Sequence, residues 1–259
     1  MFNFFKKKKQ VAKNVVIEPI QEEYNDIKPI AQYFHNETGI TFDKQMSILK
    51  NKVTSFCKQR KIYSFEKLFE DIKSNQTLKQ ELIDYLTTNE TYFYREFTQI
   101  KELVQLVKKQ DKSISILCAP SSTGEEPYSI AIALLEAGVS PNHIRIVGID
   151  INQDALTKSK AAIYSERNIR NLSSTILNNY FIEQDARYIL KENVKSLVTF
   201  KLANIFDNLF TDLGKFDFIF SRNMLIYFDK QTKQKAKTIL EDMRKNTEHD
   251  VFFGHADLF

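Results

Sequence analysis

Between about residues 25 and 110, apolar residues recur every three or four positions, as they do on the buried face of α-helices. We therefore predict a small all-helical unit. Its apolar stripes are Met46, Leu49, Val53 and Phe56; Phe65, Leu68, Phe69 and Ile72; Leu78, Leu82, Tyr85 and Leu86; and Phe97, Ile100, Leu103, Val104 and Val107. Polar residues that can cap a helix N-terminus precede three stripes, namely Thr41 or Asp43, Ser64, and Thr77.

From Ser113 onward, short apolar runs alternate with helical stretches, a pattern typical of a parallel sheet covered by helices. The predicted strands are 114–118, 144–149, 216–220 and 250–254, and the predicted helices are 127–135, 155–162 and 231–245. We expect Pro127 to occupy the first position of its helix. Alternating stretches at 187–190 and 197–202 favour a small inserted antiparallel β-subdomain.

These patterns divide the chain into four parts. They are a basic, flexible segment over 1–24, an all-helical domain over 25–87, a linker and connecting helix over 88–112, and an α/β domain over 113–259 with the β-insert at about 180–203.

The N-terminal sequence and the charge of the chain favour a cytoplasmic protein. The N-terminus places the charges of Lys6–Lys9 after a very short apolar stretch, which is the wrong order and length for a signal peptide. Lys+Arg number 37 and Asp+Glu 33, giving a net charge of +4. We predict that the lysine run is a solvated terminal charge run, and the alternative is contact with acidic lipid or nucleic acid. Cys57 and Cys118 are expected to be buried free thiols, and the alternative is a disulfide between them.

Glycine is scarce, with 6 in 259 residues, and no two glycines form G-x-G-x-x-G or a phosphate-binding loop. A cofactor held at a strand end must therefore rely on one glycine and other groups. Gly124 follows the first predicted strand, and Glu125 and Glu126 beside it would repel phosphates. Asp150 ends the next strand, where a carboxylate can accept hydrogen bonds from a ribose.

A ribose-bearing cation without phosphates describes S-adenosylmethionine. The alternatives are that Glu125 and Glu126 compensate the helix dipole and that Asp150 caps a helix. Two further polar segments converge on the same crevice. They are TNETYFYRE at 88–96, before the α/β unit, and FSRNMLIYFD at 220–229, after a strand.

In these motifs the sequence closely resembles the CheR-type chemoreceptor glutamate methyltransferases. The resemblance covers about residues 25–258 and lies in TNETYFYR at 88–95, STGEEPYS at 122–129, DIN at 150–152, RNMLIYFD at 222–229 and GH at 254–255. It implies an α/β fold in which a Rossmann-like S-adenosylmethionine-dependent methyltransferase domain carries an all-helical N-terminal domain and an inserted antiparallel β-subdomain.

The resemblance also implies the site residues. Those implied to bind the cofactor are Asn89, Thr91, Arg95, Gly124, Glu125, Glu126, Asp150, Asn204, Ile205, Asn223 and Met224, and of the two acids Glu126 is favoured. The implied catalytic residues are Arg95 and Tyr227. The alternative for Tyr227 is a core aromatic, for Arg222 a structural ion pair, and for His255 a structural histidine. The four histidines have no ligand spacing, so no metal is expected.

The implied reaction moves the methyl group of S-adenosylmethionine to glutamate side chains in the cytoplasmic helical domain of chemoreceptors, leaving S-adenosylhomocysteine. A free glutamate titrates near ~4.3, so it needs neither a base nor a metal. For docking to the acidic receptor we predict one basic helix side with Lys50, Lys52, Lys58, Arg60 and Lys61, the alternative being a solvated face. A monomer is expected, without nucleic acid or membrane insertion.

The sequence departs from the family pattern in two places. The loop over 183–187 is short, which argues against tethering of a receptor tail there. The sequence ends at Phe259, where relatives continue into a last hairpin, and an early end of the sheet would expose an edge. Two other functions stay open, a non-catalytic S-adenosylmethionine-binding module and a methyltransferase for another substrate. The absence of an Asn/Asp-Pro-Pro-aromatic motif argues against amino-nitrogen methylation.

Overall fold

The computed structural model describes residues 22–108 and 112–257. The lysine run Lys6–Lys9 lies outside the described residues, as does most of the segment predicted to be flexible. At the end of that segment, however, Glu23 is part of the fold. Its backbone N–H donates to the Tyr63 carbonyl at 2.8 Å, and its carbonyl accepts from Phe65 N–H at 3.2 Å.

The first part of the described chain is helical, as the apolar spacing predicts. Its helices are α1 (Lys28–Thr38), α2 (Met46–Gln59), α3 (Phe65–Ser74), α4 (Gln76–Leu86) and α5 (Phe97–Val107). Helices α1 to α4 share one core, in which the predicted stripes of α2, α3 and α4 are buried. Helix α5 instead packs Ile100, Leu103 and Val107 into the core of the α/β part.

Of the three predicted N-caps, one is confirmed and two are wrong. Ser64 caps α3 by accepting a hydrogen bond from Lys67 N–H at 3.1 Å, as predicted. Helix α2 begins only at Met46, because the Thr41 hydroxyl is used in a local turn, where it accepts from Asp43 N–H at 3.3 Å. Asn75, rather than Thr77, caps α4.

The second part of the chain alternates strands and helices. In order they are β1 (Ile114–Cys118), α6 (Glu125–Glu136), β2 (Ile144–Asp150), α7 (Gln153–Ala161), β3 (Ile163–Tyr164), α8 (Glu166–Ile169), α9 (Ser174–Tyr180), β4 (Phe181–Gln184), β5 (Arg187–Leu190), α10 (Glu192–Lys195), β6 (Val198–Leu202), α11 (Asn208–Thr211), β7 (Phe218–Ser221), α12 (Lys230–Asp242) and β8 (Phe252–Phe253). Single 3-10 turns lie at Pro141–His143, Leu225–Tyr227 and His255–Asp257.

Five strands form a parallel sheet in the order β6-β2-β1-β7-β8, which confirms the predicted α/β class. Strand β1 is central and every one of its residues is buried. Helix α6 begins at Glu125, so Pro127 is not its first residue. Proline is still tolerated there, because N–H groups of a first turn have no partner inside the helix. Both cysteines are buried and free.

A separate antiparallel sheet in the order β3-β5-β4 forms the predicted small β-subdomain. One of its predicted strands was assigned wrongly. The stretch 197–202 contains β6, which pairs in parallel with β2 in the main sheet. Strand β6 lies at the sheet edge and buries only Val198 and Phe200, so its alternation comes from half-burial rather than from antiparallel pairing.

The helical part sits over the carboxyl ends of the strands and is held there by hydrogen bonds. Asn152, just after β2, donates its side-chain amide to the Asp84 carbonyl at 3.1 Å and to the Thr87 hydroxyl at 2.7 Å. Asn204, after β6, donates to the Glu37 carbonyl at 2.7 Å. These bonds fix the roof of a cleft at the sheet edge. In the described ranges no helix is long and apolar enough to cross a membrane.

Candidate active site and cofactor-binding cavity

A cavity of about 350 Å³ opens between the helical part and the carboxyl ends of β1, β2, β6 and β7. Its volume is in the range of small-molecule sites. All but two of the predicted cofactor and catalytic residues line it, namely Asn89, Thr91, Arg95, Glu126, Asp150, Asn204, Ile205, Asn223, Met224 and Tyr227. The structure therefore brings together residues that lie far apart in the sequence.

Gly124 and Glu125 are the two that do not line the cavity. Gly124 has a φ of +94°, and a Cβ there would lie 2.9 Å from Ser159 Cβ, so close packing of the turn requires glycine. Glu125 is buried and accepts hydrogen bonds from the Thr123 hydroxyl at 2.6 Å and the Asn168 side-chain amide at 2.7 Å. Its carboxylate therefore joins α6 to α8 rather than facing the cavity.

Glu126 faces the cavity and forms a buried ion pair with Arg222, through Oε2 and Nε. Its other oxygen, Oε1, is buried and has no hydrogen-bond partner among the described residues. Burial raises the pKa of the Glu126 carboxyl, and the Arg222 guanidinium opposes that rise. Arg222 thus balances the charge of the carboxylate, and Oε1 is left as a hydrogen-bond acceptor without a partner in the described structure.

Arg222 also fixes the segment that carries Arg95. Its Nη1 donates to the Arg95 carbonyl at 2.8 Å and to the Glu96 carbonyl at 3.3 Å. Tyr94 and Glu96 on either side have φ values of +56° and +48°. Such conformations are unfavourable for residues other than glycine and persist only where surrounding contacts hold them. The structural ion pair considered for Arg222 is therefore present, and it borders the cavity.

Asp150 is buried at the end of β2 and keeps both carboxylate oxygens in hydrogen bonds. Oδ2 accepts from Ser122 N–H at 2.8 Å, and Oδ1 accepts from Asn152 N–H at 2.9 Å. Burial raises the pKa of Asp150 to about 6, and the backbone donors limit the rise. Each oxygen of a carboxylate can accept a second hydrogen bond. The Asp150 carboxylate can therefore accept hydrogen bonds from two hydroxyl groups of a ligand.

Arg95 and Tyr227 line the cavity from separate segments. Arg95 Nη1 donates to the Glu90 carbonyl at 2.9 Å, leaving other N–H groups of the guanidinium for a ligand. Tyr227 is partly exposed, which excludes the core-aromatic alternative. Burial of part of its ring raises the pKa of the Tyr227 hydroxyl, and Arg95 opposes the shift.

Sequence reasoning missed Asp257 as the residue that shapes the loop after β7. Its buried carboxylate accepts from Asn223 N–H at 2.5 Å, Ile226 N–H at 3.2 Å and Gly254 N–H at 3.2 Å. Asn223 has a φ of +60°. The only sequence signal for this role of Asp257 is that it is an acid three residues after Gly254.

Sequence reasoning also missed Ser121. This residue lines the cavity, and its buried hydroxyl has no hydrogen-bond partner in the described chain.

Asn204 lines the cavity, and both polar atoms of its side chain already take part in hydrogen bonds within the protein. Its amide donates to Glu37, and its Oδ1 accepts from Phe206 N–H at 3.0 Å. These bonds hold in place the segment of the cavity wall that contains Ile205.

His255 is exposed, and its Nδ1 lies 3.1 Å from Glu96 Oε2. It therefore contacts the turn after Arg95 at the protein surface.

The predicted basic docking residues do not form one face. Lys52 lines the cavity, whereas Lys50 donates to the Asn25 carbonyl at 3.3 Å. Lys58 pairs with Glu22 at 2.8 Å, and Arg60 pairs with Glu81 at 2.7 Å. Residues two apart on a helix point about 200° from each other, so the even spacing of Lys50 and Lys52 separates them.

The groups around the cavity fit S-adenosylmethionine. Glu126 Oε1 is an unpartnered buried acceptor suited to an ammonium, and Asp150 offers acceptors for a ribose. Ile205 and Met224 add apolar surface suited to an adenine ring. In residues 22–108 and 112–257 no three His, Cys, Asp or Glu side chains are grouped to hold a metal ion.

Comparison with known proteins agrees with this geometry. Residues 89–259 match the model of the family described as CheR methyltransferase, SAM binding domain. The chain is 37% identical over 245 residues to the chemotaxis protein methyltransferase of Campylobacter jejuni, covering 93% of this chain and 90% of the relative. It is 33% identical to chemotaxis protein methyltransferase 2 of Vibrio cholerae, with 87% and 82% covered, and 30% identical to the chemotaxis protein methyltransferase of Borreliella burgdorferi, with 90% and 88% covered. The chain therefore belongs to the CheR family of S-adenosylmethionine-dependent chemotaxis protein methyltransferases.

Proposed function

We propose that this protein transfers a methyl group from S-adenosylmethionine to glutamate side chains in the cytoplasmic helical domain of chemoreceptors, giving glutamate methyl esters. The observation that carries the proposal is the meeting of two kinds of group in one cavity. Glu126 and Asp150 suit the cofactor, and Arg95 and Tyr227 suit an acceptor carboxylate. The names of the relatives support chemotaxis as the setting.

For the cofactor, we propose that Glu126 Oε1 accepts from the ammonium of the methionine end and that Asp150 accepts from the ribose hydroxyls. Asn89, Thr91 and Asn223 contribute polar groups near the methionine end, and Ile205 and Met224 lie against the adenine; Asn204 supports that wall. When bound, S-adenosylmethionine supplies a methyl group on a positively charged sulfur. Gly124 and Glu125 act indirectly, by setting the start of α6.

For the acceptor, the residues of this chain have to orient a group that is already reactive. A glutamate with an ordinary pKa near ~4.3 is ionised at neutral pH, so no proton needs to be removed. Arg95 can bind one oxygen of that carboxylate and leave the other directed at the methyl group. Such alignment supplies several kcal/mol, up to about 7–11 for well-oriented reactants.

Tyr227 is proposed to donate a hydrogen bond to the same carboxylate. The raised pKa of its hydroxyl keeps it protonated at neutral pH, as a donor must be. The hydroxyl has no hydrogen-bond partner among the described residues. Its backbone is held in place, because the Tyr227 carbonyl accepts from Thr41 N–H at 3.0 Å. The ring can therefore position a carboxylate without a large movement of the turn.

The direct experiment is transfer of radiolabelled methyl to a purified chemoreceptor cytoplasmic fragment, measured as base-labile methanol. We expect labelling by the wild type and a loss of at least about 100-fold with Arg95→Ala. Arg170→Ala is the matched control, since Arg170 stacks on the Tyr92 ring at 3.5 Å but does not line the cavity. Base-stable label, or label on RNA, would contradict the proposal. Saturable cofactor binding without any transfer would favour a non-catalytic module.

A further inference from the structure

Hydrogen bonds join helix α4 to the loop that follows β2. The Gln80 side-chain amide donates to the Ile151 carbonyl at 2.8 Å. Asp84 Oδ1 accepts from the same amide at 2.8 Å and from Gln153 N–H at 2.8 Å. Ile151 lines the cavity, whereas Gln80, Asp84 and Gln153 do not. We call these bonds, together with the two that the Asn152 side chain donates at the end of α4, the clasp.

Asn152 lies at the centre of the clasp and is only 1% exposed. Its Nδ2 donates to the Asp84 carbonyl and to the Thr87 hydroxyl. Its Oδ1 accepts from Ala155 N–H at 2.7 Å and so caps α7. Its backbone N–H donates to Asp150 Oδ1 at 2.9 Å. One buried residue therefore links the proposed ribose-binding carboxylate to the helical part of the chain.

On the helical side, the clasp fixes the start of the segment that closes the cavity. Thr87 follows the last residue of α4, and the chain continues directly into 88–91, where Asn89 and Thr91 line the cavity. The Thr87 hydroxyl donates to the Ile83 carbonyl at 2.8 Å while it accepts from Asn152. The position of Asn89 and Thr91 relative to the end of β2 therefore depends on the clasp.

We propose that Asn152 is a positioning residue, whose amide keeps segment 88–91 over the cofactor bound at Asp150. This inference rests on the proposed contact between Asp150 and the ribose. Coupling between two sites is reciprocal, so a cofactor that binds better when α4 is held by the clasp also holds α4 more firmly. Loss of the two amide hydrogen bonds corresponds to about a tenfold change in an equilibrium constant.

The first test separates the amide of Asn152 from its capping oxygen. In Asn152→Ser the hydroxyl can still cap α7, because serine and asparagine are comparable N-caps, but it is too short to reach α4. The affinity of the full protein for S-adenosylhomocysteine, measured by calorimetry, should fall about tenfold, although residue 152 does not line the cavity. Asn75→Ser is the matched control, because Asn75 caps the other end of α4 and lies outside both the cavity and the clasp. Its affinity should stay within about twofold of the wild type.

A second variant approaches the clasp from the helical side. Gln80→Leu keeps much of the side-chain volume and removes the bond to the Ile151 carbonyl. Since Gln80 does not line the cavity, a direct contact with the ligand is not affected. The affinity for S-adenosylhomocysteine should fall about threefold, which is less than in Asn152→Ser because one bond between the two parts is lost instead of two.

Hydrogen exchange measured by mass spectrometry tests the coupling itself. In the wild type, S-adenosylhomocysteine should slow amide exchange at 82–86, in the last turns of α4, by about tenfold. In Asn152→Ser, at a ligand concentration that saturates the variant, the slowing at 82–86 should be less than about twofold, while 121–126 should remain protected. A residue that only capped α7 would leave the protection of α4 unchanged.

Unchanged affinity in Asn152→Ser, or equal slowing of exchange at 82–86 in this variant and the wild type, would overturn the proposal. An equal loss of affinity in Asn75→Ser would also overturn it, because the effect would then come from a general weakening of the helical part. These measurements need no receptor. Failure to methylate any receptor fragment would contradict the proposed function, whereas a tenfold loss of affinity in Asn152→Ser would still support the coupling.

Discussion

Arg222 and Glu126 form an ion pair whose two side chains are only 3% and 10% exposed. Arg222 follows β7 and Glu126 lies in the first turn of α6, so the pair connects two strand ends across the cavity wall. The same arginine holds the carbonyls of Arg95 and Glu96. Through one side chain, the proposed ammonium site and the proposed acceptor site are kept in a fixed relationship.

Loss of Arg222 should destabilise the protein strongly. Arg222→Met leaves Glu126 buried without its counter-charge, and removal of one partner of such a pair lowers the free energy of unfolding by about 3–5 kcal/mol. Urea denaturation measures the effect. The double variant Arg222→Met/Glu126→Gln should recover much of the stability, because no unpaired charge remains. A loss below about 1 kcal/mol in the single variant would show that the pair is not critical.

Glu126 and Glu125 should differ sharply although they are adjacent. Glu126→Gln removes a charged acceptor for the ammonium, so the affinity for S-adenosylhomocysteine should fall about tenfold to 100-fold. Glu125→Gln should leave that affinity within about twofold and lower stability instead, since its partners are Thr123 and Asn168. Calorimetric titration of both variants measures the difference. Equal losses of affinity in the two variants would contradict the proposal that Glu126, and not Glu125, binds the ammonium group of the cofactor.

Asp150 should make cofactor binding depend on pH. Its carboxyl has a pKa raised to about 6, and a protonated carboxyl loses one of the acceptors that a ribose requires. Affinity for S-adenosylhomocysteine should therefore be constant above about pH 7 and fall toward tenfold per pH unit below about pH 6. In Asp150→Asn this step should disappear. An unchanged step in that variant would assign the titration to another group.

The same shift has a consequence for stability with the opposite sign to that of an ion-paired acid. The folded-state pKa lies above the ordinary value of about 3.9, so between about pH 4 and pH 6 the folded protein binds more protons than the unfolded chain. The contribution of Asp150 to stability is therefore full below that window and is lost as the pH rises through it. Asp150→Asn should remove this dependence in urea titrations.

Lys52 should matter for the receptor, and Lys50 should not. Lys52→Glu places a negative charge at the cavity mouth, so the KM for a receptor fragment should rise about threefold to tenfold at low salt and less at high salt. Lys50→Glu is the control, because Lys50 lies on another side of α2 and contacts Asn25. Equal effects of the two substitutions would indicate a diffuse charge effect rather than contact at the mouth.

The sequence predicts the fold well because its main signal is burial. The stripe from Met46 to Phe56 and the apolar run from Ile114 to Cys118 each report how many faces of an element are covered. The signal fails where two structures bury the same residues. Buried and exposed residues alternate along β6 because it is the edge strand of the parallel sheet. The same alternation is expected for a strand of an antiparallel insert, so the pattern alone does not distinguish the two.

The sequence predicts which segments meet at the cavity, but it does not predict the direction of each side chain. Polar residues after β1, β2 and β7 do meet in one cavity, because the carboxyl ends of parallel strands share one edge. Which neighbour faces the cavity depends on a rotation of about 100° per helical residue. That rotation turns Glu126 inward and Glu125 toward Asn168, and the same geometry separates Lys52 from Lys50. Asp257 could not be predicted from the sequence, because its carboxylate binds backbone N–H groups that come together only when the loop after β7 is folded.

The proposed function requires that the cavity place a glutamate carboxylate beside the cofactor. Peptide mapping by mass spectrometry of a receptor fragment incubated with S-adenosylmethionine and the purified protein tests it most directly. We predict methyl esters on glutamate side chains with the wild type and with Arg170→Ala, and almost none with Arg95→Ala. Methylation at any other type of side chain, or equal ester formation by Arg95→Ala, would contradict the claim.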